Sequence, residues 1–128
     1  MTHILRIDAS ARPSATGDEE GSYSRALADH LITQLHDRHP DMTLTTRDLA
    51  AAPVPHIGDT TIKGYYTPPE AMTDSLRAAT ALSDKLIAEV QAADIIVISL
   101  PIYNFSVPSA FKAWVDQVVR IGRTFAYE

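Results

Sequence analysis

Apolar residues along the chain follow two alternating rhythms. His3 to Asp8 (H-I-L-R-I-D) is a short apolar stretch ending in a polar cluster, the pattern of a buried strand feeding a loop. From about Ser22 to His39 the spacing changes. Leu27, Leu31 and Leu35 recur with Ala28 and Ile32 beside them, the stripe of an amphipathic helix, and Pro40 ends it. Met42 to Arg47 sets Met42 and Leu44 against threonines, which predicts a second strand nearer an edge. Asp48 to Tyr66 carries Pro53, Pro55, Gly58 and Gly64 and reads as a long irregular connection, of the kind that more often carries function than not. Thr67-Pro68-Pro69-Glu70 has the look of a helix entry, with Thr67 as cap. Leu76, Ala79, Leu82, Leu86 and Val90 then keep helical spacing as far as Ala92. Asp94 to Leu100 is the strongest strand signal. Its four successive branched residues, Ile95 to Ile98, leave no polar face, as expected for a strand covered on both sides in a parallel sheet. A last helix is predicted from about Ser109 to Ile121, with Phe111, Trp114, Val115, Val118 and Val119 on one side and Gly122 placed to stop it.

The order strand, helix, strand, helix, strand, helix implies parallel strands joined by right-handed crossovers, hence an α/β doubly wound sheet. No internal repeat or linker interrupts it, so residues 1–128 are expected to form one domain. Ligands of such sheets sit beyond the carboxyl ends of the strands, where strand order reverses. That rule selects Ser10 to Ser24, after the first strand, and Pro101 to Pro108, after the third.

Composition narrows the field. With 45% hydrophobic and 21% charged residues the chain can bury a core, which excludes disordered and collagen-like classes. Ile95 to Ile98 is the longest aliphatic run, far short of the roughly 20 residues that cross a bilayer. Met1 to Ser10 lacks the features of a secretory signal, so the expectation is a cytoplasmic protein with no membrane attachment. Zero cysteines remove disulfides, thiolate metal sites and cysteine nucleophiles. A net charge of −5 with scattered Lys and Arg argues against nucleic acid as a partner. His36 and His39 are close in sequence, but no carboxylate spacing completes a metal site around them.

The first loop has neither G-x-x-x-x-G-K-[ST] nor G-x-G-x-x-G. It offers hydroxyls instead: Ser10, Ser14, Thr16, Ser22 and Ser24, the last two at a helix start, where free N–H groups and the helix dipole favour an anion. Arg12 could lend charge. The same serines would also serve as plain helix caps. Asp18-Glu19-Glu20 is expected at a solvated loop tip, and Asp8, at the end of the strand, either serves as a site acid or holds the turn. The second loop, Pro101-Ile102-Tyr103-Asn104-Phe105-Ser106-Val107-Pro108, has no charge. Two rings, an amide and two prolines suit the faces and edges of a flat heteroaromatic ligand, or simply fill the gap between strand and helix.

Together these residues resemble the FMN-dependent NADH azoreductases, members of the flavodoxin-like group that includes the NAD(P)H quinone reductases. The resemblance covers essentially the whole chain. It rests on Ser10 with Ser22-Tyr23-Ser24, on Arg47-Asp48-Leu49-Ala50-Ala51-Ala52-Pro53-Val54-Pro55, on Ala81-Leu82-Ser83-Asp84-Lys85-Leu86-Ile87, and on Ala93-Asp94-Ile95-Ile96-Val97-Ile98 leading into Pro101-Ile102-Tyr103-Asn104-Phe105. The Pro-x-Tyr-Asn-Phe motif is the specific part. The resemblance implies a flavodoxin-like sheet with three strands in the order 2-1-3 and FMN as cofactor. Ser10, Ser22, Tyr23 and Ser24 would hold its phosphate and ribityl end, and Pro101, Ile102, Tyr103, Asn104 and Phe105 would line its ring. Asn104, Phe105 and Tyr127 would lie near the substrate.

It further implies two-electron ping-pong transfer, with NADH or NADPH reducing the flavin and a quinone or azo compound taking the equivalents. No protein side chain then needs to be catalytic, and no triad is expected. The family's homodimers would place the Phe111, Trp114 and Val118 face at an interface or, equally, against the sheet. The first loop is longer and more acidic than the family's. The family also continues past Glu128 with further strands and a third FMN-contacting loop, so the expectation is an incomplete domain with the Ile95 to Ile98 strand at an open edge. The competing expectations are a non-catalytic FMN-binding or electron-carrier module, and an inactive truncated chain.

Overall fold

The computed structural model describes residues 1–17 and 19–127. Asp18, part of the acidic run expected at a loop tip, lies outside them; its neighbours Glu19 and Glu20 are exposed. Strand β1 (His3–Asp8) lies at the centre of a parallel sheet in the order β2-β1-β3, with β2 at Thr43–Asp48 and β3 at Ile95–Ser99. The register pairs Asp8 with both Asp48 and Ser99, so all three strands end at one level and their following loops rise from one edge.

Helix α1 (Tyr23–Arg38) covers one face of the sheet, where Ala28 packs with Ile4 and Val97, flanked by Ile32 and Leu35. On the opposite face Leu5 and Ile7 meet Leu86 and Ile87 of α3 (Asp74–Ala92) and Trp114 and Val118 of α4 (Ser109–Val118). Phe111 stacks on Trp114 at 5.6 Å, and Trp114 and Val118 are buried against the sheet.

Four expectations need correction. The segment Asp48 to Tyr66 is not wholly irregular. It contains α2 (Asp59–Tyr66), whose Gly64 presses so closely on α3 that a Cβ there would sit 2.5 Å from the Thr80 methyl. Helix α3 begins at Asp74, not near Thr67. Pro68 is extended and Pro69–Ala71 makes only a 3-10 turn, while Thr73 caps α3 by accepting from the Leu76 N–H at 3.2 Å. Helix α4 stops at Val118, and Gly122, at φ +77°, belongs to the turn beyond it.

The fourth correction concerns the sheet edge. Ile96 and Ile98, expected to be covered, are 40% and 41% exposed, because α3 and α4 pack over β1 and nothing among the described residues covers the outer side of β3. Leu27 and Leu31 of α1 overhang the same edge, so the buried line of α1 runs through Ala28, Ile32 and Leu35 instead of the Leu27, Leu31, Leu35 stripe. The strand order 2-1-3 is as expected, with β3 at an edge of the sheet among the described residues. Among the described residues no helix is long and apolar enough to cross a membrane.

Candidate functional site

The loop after β1 doubles back on itself before α1. Ser22 donates its N–H to the Pro13 carbonyl at 2.6 Å, and Ala15 donates to the Ser22 carbonyl at 3.1 Å. The crossing is possible only because residue 21 is glycine. A Cβ there would lie 2.6 Å from the Ala15 nitrogen and 2.8 Å from the Ser14 carbonyl carbon. Ser22 then caps α1, its Oγ accepting from the Arg25 N–H at 3.1 Å, and lies 3.0 Å from the Ser24 hydroxyl. The outcome is a helix start with two hydroxyls beside its free N–H groups, held open by a rigid crossing.

On the far side of the cleft β3 runs out into Leu100 and Pro101, and a tight hairpin follows. Tyr103 and Ser106 exchange both backbone hydrogen bonds, at 2.9 and 3.1 Å. Asn104 and Phe105 between them have φ of +50° and +68°. A two-residue turn with both φ positive ordinarily calls for glycine, and a phenylalanine there stores backbone strain of order 1 kcal/mol. What the strain achieves is presentation: the Phe105 ring stands wholly in solvent beside an exposed Ile102.

Between the two loops lies an open cleft of about 350 Å³ lined by Ser10, Arg12, Gly21, Ser22, Tyr23, Ser24, Leu100, Pro101 and Tyr103. Six predicted residues therefore meet in one place: Ser10, Ser22, Tyr23, Ser24, Pro101 and Tyr103. Ile102, Asn104 and Phe105 do not line it and belong to the projecting hairpin. Tyr127 does not line it either. Its ring stands edge-on to Phe125 at 5.6 Å in the turn after α4. Ser14 and Thr16 turn away from the cleft, Ser14 donating to Asp29 at 2.8 Å and Thr16 to Glu19 at 3.0 Å.

The two loops are joined. Ala11 donates its N–H to the Tyr103 hydroxyl at 3.1 Å. This bond, with the Ser10 hydroxyl and the charges of Arg12 and Arg25, holds the Tyr103 phenol below its ordinary value. Beneath the first loop lies a charged network that sequence reasoning missed. Arg25 sets both terminal nitrogens on the Asp48 carboxylate, each at 2.8 Å, and one of them also donates to the Ser10 carbonyl at 2.7 Å. Those bonds and the Ala51 and Ala50 N–H groups hold Asp48 well below the usual carboxylate range, and Asp48 in turn raises Arg25. Asp8 is neither a free site acid nor a holder of the turn through backbone N–H groups. It is buried, accepts from Ser99 Oγ at 2.7 Å and Arg6 Nε at 3.0 Å, and lies 3.6 Å from Arg25. Arg25 and Asp48 are 23 residues apart, and no local pattern announces their pairing. Among the described residues no group of three or more His, Asp or Glu is placed to hold a metal.

Residues 2–128 match the family model described as flavodoxin-like fold. The chain belongs to the flavodoxin-like family. Within it, the chain is 54% identical over 128 residues to a protein of Xanthobacter autotrophicus named FMN-dependent NADH:quinone oxidoreductase, and 47% identical over 124 residues to one of the same name from Frankia alni. These alignments take in 100% and 97% of the chain but 59% and 56% of the relatives. Among solved structures, an azoreductase from Bacillus anthracis str. Sterne superposes with a TM-score of 0.86 at 27% identity, over the whole of this chain and 60% of that one. The flavodoxin-like chain thus spans about three-fifths of the length of the proteins it matches.

Proposed function

We propose that the chain provides the FMN-binding cleft of an NADH-dependent oxidoreductase that reduces quinones and azo compounds. One observation carries this reading. The start of α1, with the Ser22 and Ser24 hydroxyls, faces an uncharged wall of Leu100, Pro101 and Tyr103 across a single cleft. An anion at one end and a flat apolar body along the other is the shape of a flavin mononucleotide. The crossing at Gly21, itself part of the cleft lining, fixes the loop backbone beside that helix start. The names of the relatives support the same cofactor and reductant.

The N–H groups of the first turn of α1 and the hydroxyls of Ser22 and Ser24 would take the phosphate, with Ser10 beside them and Arg12 adding positive charge at the rim. Tyr23, Pro101 and Tyr103 would contact the ribityl chain and ring, and Ile102 the ring edge. When bound, FMN supplies the two-electron redox chemistry that side chains lack. The residues of the chain then have three tasks: to bind the phosphate, to hold the ring against the hairpin, and to offer the acceptor a dry face. The projecting Phe105, with Asn104, suits the third. Tyr127 we assign to the acceptor side, and the exposed apolar residues Tyr23, Ile102 and Phe105 to the neighbourhood of a second subunit in a cytoplasmic homodimer.

The test is anaerobic. The chain loaded with FMN is mixed with NADH, the 450 nm flavin band is followed, and a quinone is then added. Bleaching by NADH and recovery with the quinone are expected. Binding of FMN without bleaching would leave a flavin-binding module and defeat the oxidoreductase reading.

A further inference from the structure

Arg25 lies in the first turn of α1, yet its side chain faces away from the cleft, into the junction of β1, β2 and the first loop. It is one of the few buried charged residues of the protein. Three of its bonds are described above: two to Asp48 at the end of β2 and one to the Ser10 carbonyl. The Ser10 to Ala11 peptide unit is planar, so its carbonyl and N–H point in opposite directions. Arg25 grips the carbonyl, and the N–H at the other end donates to Tyr103 Oη at 3.1 Å. One peptide plane therefore lies between the Arg25 guanidinium and the tyrosine of the second loop. Asp48 fixes the guanidinium by a two-point contact that a lysine could not reproduce. The Arg25 Nε is buried without a hydrogen-bond partner. That is a cost in stability, so the placement of this side chain is not explained by hydrogen-bond satisfaction alone.

We propose that Arg25 is a positioning residue: anchored on Asp48, it sets the plane of the Ser10 to Ala11 peptide, and through that plane it locks the phosphate loop to the Tyr103 side of the cleft. The proposal rests on the FMN reading for its purpose, but its geometry can be tested without any flavin. The phenol of Tyr103 reports on the peptide, because the Ala11 N–H bond is the largest influence drawing its ionisation down.

The experiment labels the tyrosine rings with ¹³C and follows their titration by NMR in the chain without flavin, with Tyr103→Phe identifying the resonance. In Arg25→Lys the positive charge remains but the two-point anchor is lost, and the Tyr103 phenol is expected to rise toward the ordinary phenol range near 10. FMN affinity, measured in parallel, is expected to fall about tenfold, the scale of one well-placed hydrogen bond. Asp48→Asn is the second variant, should Arg25→Lys not fold. Removing a negative charge would by itself favour the phenolate and lower the phenol, so a rise in Asp48→Asn can come only from the displaced peptide. An unmoved Tyr103 titration in folded Arg25→Lys, or a lowered one in Asp48→Asn, overturns the proposal. A wild-type chain that ignores FMN, while Tyr103 shifts as expected, would overturn the cofactor reading and leave the positioning role standing.

Discussion

Gly21→Ala is the sharpest local perturbation of the site. The added methyl would meet the Ala15 nitrogen at 2.6 Å, the Ala15 Cα at 2.7 Å and the Ser14 carbonyl carbon at 2.8 Å. All three are backbone atoms, so no side chain can swing aside. Ordinary contact begins near 3.4 Å, so the crossing must open by about 0.8 Å (3.4 less 2.6). The two hydrogen bonds that close it, Ser22 to Pro13 at 2.6 Å and Ala15 to Ser22 at 3.1 Å, cannot both survive that movement. At roughly 1 kcal/mol net for each bond, plus a residual overpacking cost of about 1 kcal/mol, the loss should be about 2 to 3 kcal/mol. The loss should be local. The crossing lies outside both hydrophobic clusters, so the folded state should persist with its sheet intact while the start of α1 is displaced. Urea denaturation followed by circular dichroism checks the first part, and FMN titration by flavin fluorescence the second. Wild-type stability together with wild-type FMN affinity would refute the reasoning, because the methyl would then have found room that the crossing does not contain.

Other consequences are more widely spread. The depressed carboxyl of Asp48, set first by its bonds from Arg25, contributes stability that is fully present above its unfolded value near 4 and is lost as pH falls through the lower folded value. The stability gap between wild type and Asp48→Asn should therefore be constant from about pH 5 to 8 and close below about pH 4, as measured by urea unfolding across pH. Phe105→Ala removes a ring that stands in solvent, so stability should change by no more than about 0.5 kcal/mol and FMN affinity little, while steady-state kinetics show a raised acceptor KM. An unchanged acceptor profile in Phe105→Ala and Asn104→Ala would remove the hairpin from the acceptor site. Leu86→Ala opens a cavity where Leu86 is fully buried against Leu5 and Ile7, and should cost about 2 to 5 kcal/mol in urea unfolding without altering the cleft.

Much of this architecture is legible in the residues. The β1 and β3 strands follow from an apolar stretch and a run of branched residues, β2 from alternation, a serine cap at Ser22 or Ser24 from the helical stripe after it, and the ligand-bearing loops from topology. Helix α2 is hard to read because Asp59 to Tyr66 contains two threonines, a glycine and two tyrosines, poor helix formers whose helix is supported by packing of Gly64 on α3 and by the Tyr65 hydroxyl bond to the Asp116 carbonyl. The stripe on α1 misled because Leu27 is 70% exposed. A leucine that overhangs a sheet edge has the same spacing as one that covers its centre. At the site, hydroxyls and aromatics could be read off locally. The Arg25 to Asp48 pair could not, since ion pairing between a helix start and a strand end is fixed by the sheet order and not by any spacing. The outward Phe105 was likewise invisible, because its exposure depends on two positive φ angles at residues that seldom adopt them.

The central claim is that a flavin mononucleotide lies between the start of α1 and the Leu100 to Tyr103 wall. Titration of the ¹⁵N-labelled chain with FMN tests it most directly. The largest amide shifts are expected at Ser22 to Arg25 and at Ala11, Leu100 and Tyr103, with riboflavin reproducing those of the wall but not those of the helix start. Shifts confined to the open β3 edge, or identical responses to FMN and riboflavin at Ser22 to Arg25, would contradict it.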